Sequence, residues 1–95
     1  MTSKQRAYLR GLVNDAETIL MVGKDGISDN VIAQADGALE ARELIKMRCL
    51  ESAGISVRAA AEEIAAACRA EVVFVIGSRA VLYRRSRKPK IELPR

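Results

Sequence analysis

The chain has 95 residues, a net charge of +4, 49% hydrophobic and 29% charged residues, and no histidine. That length suits one domain burying roughly 60–65% of its unfolded surface, and the composition is globular rather than disordered. Without imidazole there is no His-based triad, no His-ligated metal and no imidazole general base.

Aromatic residues make up 3% of the chain, namely Tyr8, Phe74 and Tyr83, so a base-stacking platform built from several aromatics is not expected. Cys49 and Cys68 lie in apolar segments and read as reduced core thiols; they could pair in principle, but two cysteines cannot fill a four-ligand zinc site. The opening Met1-Thr2-Ser3-Lys4-Gln5-Arg6 lacks the apolar region of a signal peptide, and no apolar run reaches the ~18 residues of a membrane span. A cytoplasmic location without membrane association is expected. Charge is uneven: from Arg79 onward seven basic residues face one acid, Glu92, a balance of +6, which leaves −2 on residues 1–78. A basic end on a near-neutral body suggests a polyanionic partner, nucleic acid before an acidic membrane surface, against the ordinary alternative of a solvated tail.

In chain order, Ser3 can cap a first helix whose apolar positions Leu9, Leu12, Val13 and Ala16 follow helical spacing, with Lys4, Arg6 and Arg10 off that stripe. Asn14-Asp15 is the expected end. Thr18 to Val22 is rich in β-branched and apolar residues and reads as a strand. The turn Gly23-Lys24-Asp25-Gly26 follows, then Ser28 as a cap with Asp29 favourably placed against the helix dipole. Val31, Ile32, Ala35, Ala38 and Leu39 form one face of a second helix. Gly37 within it costs about 1 kcal/mol relative to Ala and is expected to permit close packing or to loosen the last turn.

From Glu43 to Leu50 the period changes to two: Ile45, Met47 and Cys49 share one face, Lys46 and Arg48 the other. Ala53-Gly54 is a turn, and Ser56 caps a third helix with the stripe Val57, Ala60, Ala61, Ile64 and Cys68, and with Arg58 and Glu62 at i, i+4. The run Val72 to Ile76 within a strand from Glu71 predicts an inner position in the sheet. Gly77-Ser78 turns it into a last strand, Ala80 to Arg84. Pro89 and Pro94 bracket a stretch without predicted structure.

The order α-β-α-β-α-β-β predicts an α+β domain of two layers. Two crossovers require partly parallel pairing and the hairpin one antiparallel strand, giving a mixed four-stranded sheet with the second and third helices on one face and the other face partly open. The expected division is one domain over 1–86 and a basic tail over 87–95.

The glycine turn combines two flexible residues, a cation and the start of a helix. Absent Cβ atoms let a ligand's backbone approach, and the helix N-terminus with Lys24 favours a phosphate. Taken alone it is more often a plain strand-to-helix connection. A nucleotide-binding Walker loop is excluded, because Gly23-Lys24 is followed by Asp25 rather than Ser or Thr and the upstream glycine is missing. The carboxylates are scattered, and no pair is marked for acid–base work.

Several strings together resemble the bacterial YhbY family, the stand-alone form of the CRM domain (chloroplast RNA splicing and ribosome maturation). They are Ser3-Lys4-Gln5-Arg6, Leu9-Arg10-Gly11-Leu12, Val22-Gly23-Lys24-Asp25-Gly26-Ile27, Ala38 to Lys46, Val75-Ile76-Gly77 and Val81-Leu82-Tyr83-Arg84. The resemblance spans nearly the whole chain. It implies a fold similar to the C-terminal domain of translation initiation factor three, and RNA binding on large-subunit ribosomal precursors. It also implies a glycine loop comparable to that of KH domains, which clamps a nucleic-acid backbone, mapped onto Gly23, Lys24, Asp25 and Gly26. The Asp25 carboxylate would repel a phosphate if it pointed inward, so the grip is expected from backbone N–H groups and Lys24.

The candidate RNA contacts are therefore Gly23, Lys24, Asp25 and Gly26, extended by Lys4, Arg6 and Arg10 on the first helix, Lys46 and Arg48 on the second strand, and Arg79, Arg84 and Arg85 around the hairpin. The expectation is a monomeric, non-catalytic RNA-binding protein with no cofactor, metal or small-molecule substrate, contacting phosphates of ribosomal RNA during large-subunit assembly. The alternative is a protein-interaction adaptor on ribosomal particles or translation factors.

Overall fold

The computed structural model describes residues 1–13 and 18–94. Its elements are α1 (Ser3–Leu12), β1 (Thr18–Val22), α2 (Asp29–Arg42), β2 (Leu44–Cys49), a short 3-10 turn (Glu51–Ala53), α3 (Val57–Cys68), β3 (Glu71–Ile76) and β4 (Arg79–Tyr83). The order read from the sequence holds throughout. The expected helix end at Asn14-Asp15, and Ala16 of the expected stripe, lie outside the described residues.

Capping chemistry sets the helix starts. Ser28 and Ser56 accept the N–H groups of Val31 and Ala59 at 3.2 and 3.1 Å, as expected. For α1 the cap is Thr2 rather than Ser3, because Gln5 lies three residues after Thr2 and closes a reciprocal capping box. Gly37 is exposed with open space around it, and α2 continues to Arg42, so it neither permits close packing nor ends the helix.

The sheet is mixed, in the order β1-β2-β4-β3. β1 and β2 pair in parallel around α2, while β4 pairs antiparallel with both β2 and β3. The main core lies between this sheet and α2 with α3: Leu20, Val22, Ile45, Met47, Ala80 and Leu82 meet Ala35, Leu39, Ala60, Ala61 and Ile64. Both thiols are free and buried, and burial pushes the Cys68 thiol up, as Asp36 does to a smaller extent.

β3 corrects the sequence reading. It is an edge strand, not an inner one. Its unbroken apolar run arises because one face packs under α3 and the other is partly covered by α1, with Ile76 left exposed at its end, and because the register shifts between Val72 and Phe74. That bulge inserts Val73, so Val72 and Val75 join the core under α3 while Val73 and Phe74 turn to the opposite face. The Arg6 Nη1 donates to the Val72 and Val73 carbonyls at 2.8 and 2.7 Å, which satisfies acceptors on the bulged edge.

The opposite face is partly covered by a second, smaller core. Leu9 of α1 and its C-cap Val13 pack with Val73, Val81 and Tyr83, joined by Ile91 and Leu93. Residues 87–94 carry no regular element, yet they are docked. Glu43, wholly buried at the end of α2, accepts the N–H of Ser86 at 3.1 Å on one carboxylate oxygen and those of Lys90 and Ile91, the latter at 2.9 Å, on the other. The Gln5 side chain donates to the Pro94 carbonyl at 3.1 Å.

Candidate nucleic-acid interface

β1 and β2 run in parallel and deliver their C-terminal ends to one edge of the molecule, where the β3–β4 turn also lies. The Cys49 N–H donates to the Ser78 carbonyl, and the Leu50 N–H to the Val22 carbonyl, both at 2.8 Å. The glycine loop leaves from the same edge. The Gly26 N–H donates to the Gly23 carbonyl at 2.9 Å, closing a turn whose two central residues, Lys24 and Asp25, are exposed.

The two glycines differ in kind. Gly26 sits at φ 68, a region that side chains rarely adopt. Gly23 has no such requirement: a Cβ there would meet Leu50 Cδ1 at 3.5 Å and Ser52 Oγ at 3.9 Å, both ordinary contacts. Nothing in the described chain demands a glycine at 23.

The uncovered part of the sheet is ordered in rows. At the loop end, one residue from each strand stands in line: Met21 opposite Arg48, Arg48 opposite Arg79, Arg79 opposite Ile76. Both arginines are exposed, and so are the flanking Met21 (53%) and Ile76 (59%). The next row on this face is Thr18, Lys46, Val81 and Phe74, and the Arg10 guanidinium reaches over Phe74 at 4.8 Å from the ring centre. In the third row, Leu44, Tyr83 and Glu71, Leu44 and Tyr83 are packed in the second core with α1 and the docked tail, while Glu71 is exposed.

Among the candidate residues, the fold gathers Gly23, Lys24, Asp25 and Gly26 at one edge and Arg10, Lys46, Arg48 and Arg79 on the adjoining face. It does not gather the rest. Arg84 follows Tyr83, which pairs with Leu44 at the far end of β2, about 17 Å from the loop end at strand rise. Its guanidinium is occupied there, donating to the Asp36 carboxylate at 2.6 Å, the Cys68 carbonyl at 2.9 Å and the Asp36 carbonyl at 3.0 Å. Arg85 is exposed at that far end. Arg6 is committed to the β3 bulge, and Lys4 projects from the first turn of α1, about 9 Å along the helix from Arg10.

The basic tail also makes contacts at the end of α2, although Arg87, Lys88 and Lys90 stay exposed. Lys90 Nζ donates to the Ala41 carbonyl at 2.6 Å, at the C-terminal end of α2 where a cation is favoured. The Arg87 N–H donates to the Glu40 carboxylate at 3.1 Å. Sequence reasoning missed Met21, Phe74 and Ile76 as surface components, because an apolar strand residue reads as core until the strand order is known. The one signal was the hairpin at Gly77-Ser78, which sets Ile76 opposite Arg79.

Among the described residues no helix is long and apolar enough to cross a membrane, and no group of three His, Cys, Asp or Glu side chains could hold a metal ion. The fold and the site define a small mixed-sheet α+β domain that presents a cationic face beside a glycine loop. The chain belongs to the CRS1 / YhbY (CRM) domain family, which it matches over residues 1–84. It is 41% identical over 95 residues to "Probable RNA-binding protein YqeI" of Bacillus subtilis, covering 99% of each chain. It is 33% identical to an "RNA-binding protein" of Haemophilus influenzae, covering 100% of this chain and 96% of that one. The solution structure of the hypothetical protein SAV1595 from Staphylococcus aureus superposes with a TM-score of 0.79 at 42% identity, covering 99% of each chain. Both the Bacillus and the Haemophilus relatives are named as RNA-binding proteins and not as enzymes.

Proposed function

We propose that this protein is a cytoplasmic, monomeric RNA-binding protein that contacts ribosomal RNA of the large-subunit precursor during assembly, chiefly through backbone phosphates. The observation that carries the reading is the convergence of the glycine loop with Arg10, Lys46, Arg48 and Arg79 on one edge and face. A polyanion laid across that face meets cations from α1, β2 and β4 and, at its end, Lys24 beside a turn that a phosphate backbone can approach. The names of the relatives support RNA as the polyanion. The ribosomal target rests on the resemblance to the YhbY family.

Phosphate contacts fix position rather than sequence, so the target is chosen by RNA shape and by whichever bases the face can reach. If Lys24 and the four other cations each neutralise one phosphate, affinity falls by roughly 0.7 log units per contact per decade of salt. For five contacts that is about a hundredfold between 50 and 200 mM.

The test is binding of large-subunit RNA fragments across a salt series, with Lys24→Glu as the variant, together with crosslinking and sequencing of bound RNA in cells. Steep salt dependence, weakened binding by the variant and enrichment of large-subunit RNA are expected. Salt-insensitive binding, or a variant that binds as well as the parent, would overturn the phosphate reading. Enrichment of messenger or transfer RNA would overturn the ribosomal one. Retention on a ribosomal protein after nuclease treatment would favour an adaptor instead.

A further inference from the structure

Between α1 and the β3–β4 hairpin, on the uncovered part of the sheet, lies a slot of about 230 Å³. Its floor is apolar, formed by Phe74, Ile76 and Val81, and its rim carries three cations, Arg10, Lys46 and Arg79. The volume is below the roughly 300–1,000 Å³ of pockets that enclose drug-sized ligands, so it suits one flat ring system rather than a whole cofactor.

Pure phosphate binding does not explain this arrangement. A phosphate gains nothing from Ile76, which is left 59% exposed beside Arg79, or from an aromatic floor. The Arg10 guanidinium carbon lies over the Phe74 ring, 4.8 Å from its centre, a cation–π contact that holds the guanidinium at the slot. Guanidinium planes stack on unpaired bases as aromatic rings do. A chain with few aromatics thereby gains a stacking surface from an arginine laid on its single phenylalanine.

We infer that the slot receives one unpaired nucleobase of the bound RNA, packed against Arg10 and Ile76, while Lys46 and Arg79 hold the flanking phosphates. The inference rests on the RNA reading above and deepens it: the ligand is a single-stranded or bulged segment, not a continuous duplex. In a duplex the bases are stacked and paired, and only phosphates would reach the face, leaving the apolar floor uncovered.

The experiment compares three RNA probes by fluorescence anisotropy at fixed salt: an unstructured 12-mer, a strand of the same length built entirely of abasic units, and a duplex of that length. The proteins are the full-length parent, Arg10→Lys, which keeps the charge but loses the plane, and Ile76→Ser on the exposed end of β3. The parent should prefer the unpaired strand over the abasic one by about tenfold. Arg10→Lys and Ile76→Ser should each lose most of that preference, and for the uncharged Ile76→Ser the affinity for the abasic strand and the salt slope should stay those of the parent. Equal binding of the 12-mer by Arg10→Lys and the parent, or equal binding of all three probes by the parent, overturns the slot assignment. If all probes bind alike with steep salt dependence, the RNA reading survives and the slot fails. If none binds, the RNA reading itself fails.

Discussion

Arg48 of β2 and Arg79 of β4 stand directly opposite one another across an antiparallel pair. Among the described residues neither forms an ion pair with a carboxylate. Like charges facing each other in a sheet are destabilising, so the free protein carries an electrostatic strain that an anion laid across the row would relieve. Arg48→Glu converts the repulsion into a cross-strand ion pair. It should raise stability by about 0.2–1 kcal/mol, seen as a higher thermal midpoint, while weakening RNA binding about tenfold or more. A variant that is both less stable and equally active would contradict this account.

The two glycines of the loop should separate stability from binding. Gly26→Ala forces a side chain into the left-handed region and should cost about 1–2 kcal/mol in chemical denaturation. Gly23→Ala meets only ordinary contacts and should leave the denaturation midpoint nearly unchanged while reducing RNA affinity, because the added methyl stands where the RNA backbone approaches. The reverse pattern would mean that the loop is a connection and nothing more.

Glu43 ties the C-terminal stretch to the sheet. Burial by itself raises the pKa of its carboxyl group, but the N–H groups of Lys90, Ser86 and Ile91, with Arg85 nearby, lower it on balance. A folded pKa below the unfolded one means that the ionised carboxylate stabilises the fold above the unfolded value, about 4.3 for an ordinary glutamate. That contribution is lost as the pH falls through the folded value. Glu43→Gln, which sets an amide NH₂ against backbone donors, should cost about 1–3 kcal/mol at pH 7 and flatten the loss of stability on acidification below pH ~4.3. Equilibrium unfolding of both proteins from pH 7 to pH 3 checks it; parallel curves would mean that the carboxylate's charge is not what holds the tail.

Arg84 is a structural arginine, with its side chain 19% exposed and its nearest carboxylate, on Asp36, at 2.6 Å. Arg84→Ala should destabilise the fold by about 1–3 kcal/mol, because the Cys68 and Asp36 carbonyls lose their donor. RNA affinity, measured well below the unfolding transition, should stay within about twofold of the parent at a site a strand's length away. Loss of affinity without loss of stability would return Arg84 to the interface.

Local chemistry was sufficient for the elements themselves. Ser28 and Ser56 cap where a side-chain oxygen can reach an orphan N–H, the period of two in Ile45, Met47 and Cys49 sets a strand face, and Gly77-Ser78 makes a hairpin. Each of these interactions spans a few residues, so one sequence window contains both partners. The glycine loop and Lys24 were legible for the same reason, and the family resemblance carried the rest of the functional expectation. Tertiary structure alone decided which cations stand together on one face. Strand order put β3 at the edge, a single inserted Val73 reversed the faces of its last residues, and the parallel β1–β2 pair brought the loop to the same end as Arg48 and Arg79. Those outcomes depend on pairings between residues tens of positions apart, and no local propensity encodes them. The same long-range packing engaged the guanidinium groups of Arg6 and Arg84 with backbone carbonyls and docked the backbone of the C-terminal stretch onto Glu43, so cations that read as free surface in the sequence are tied to the scaffold.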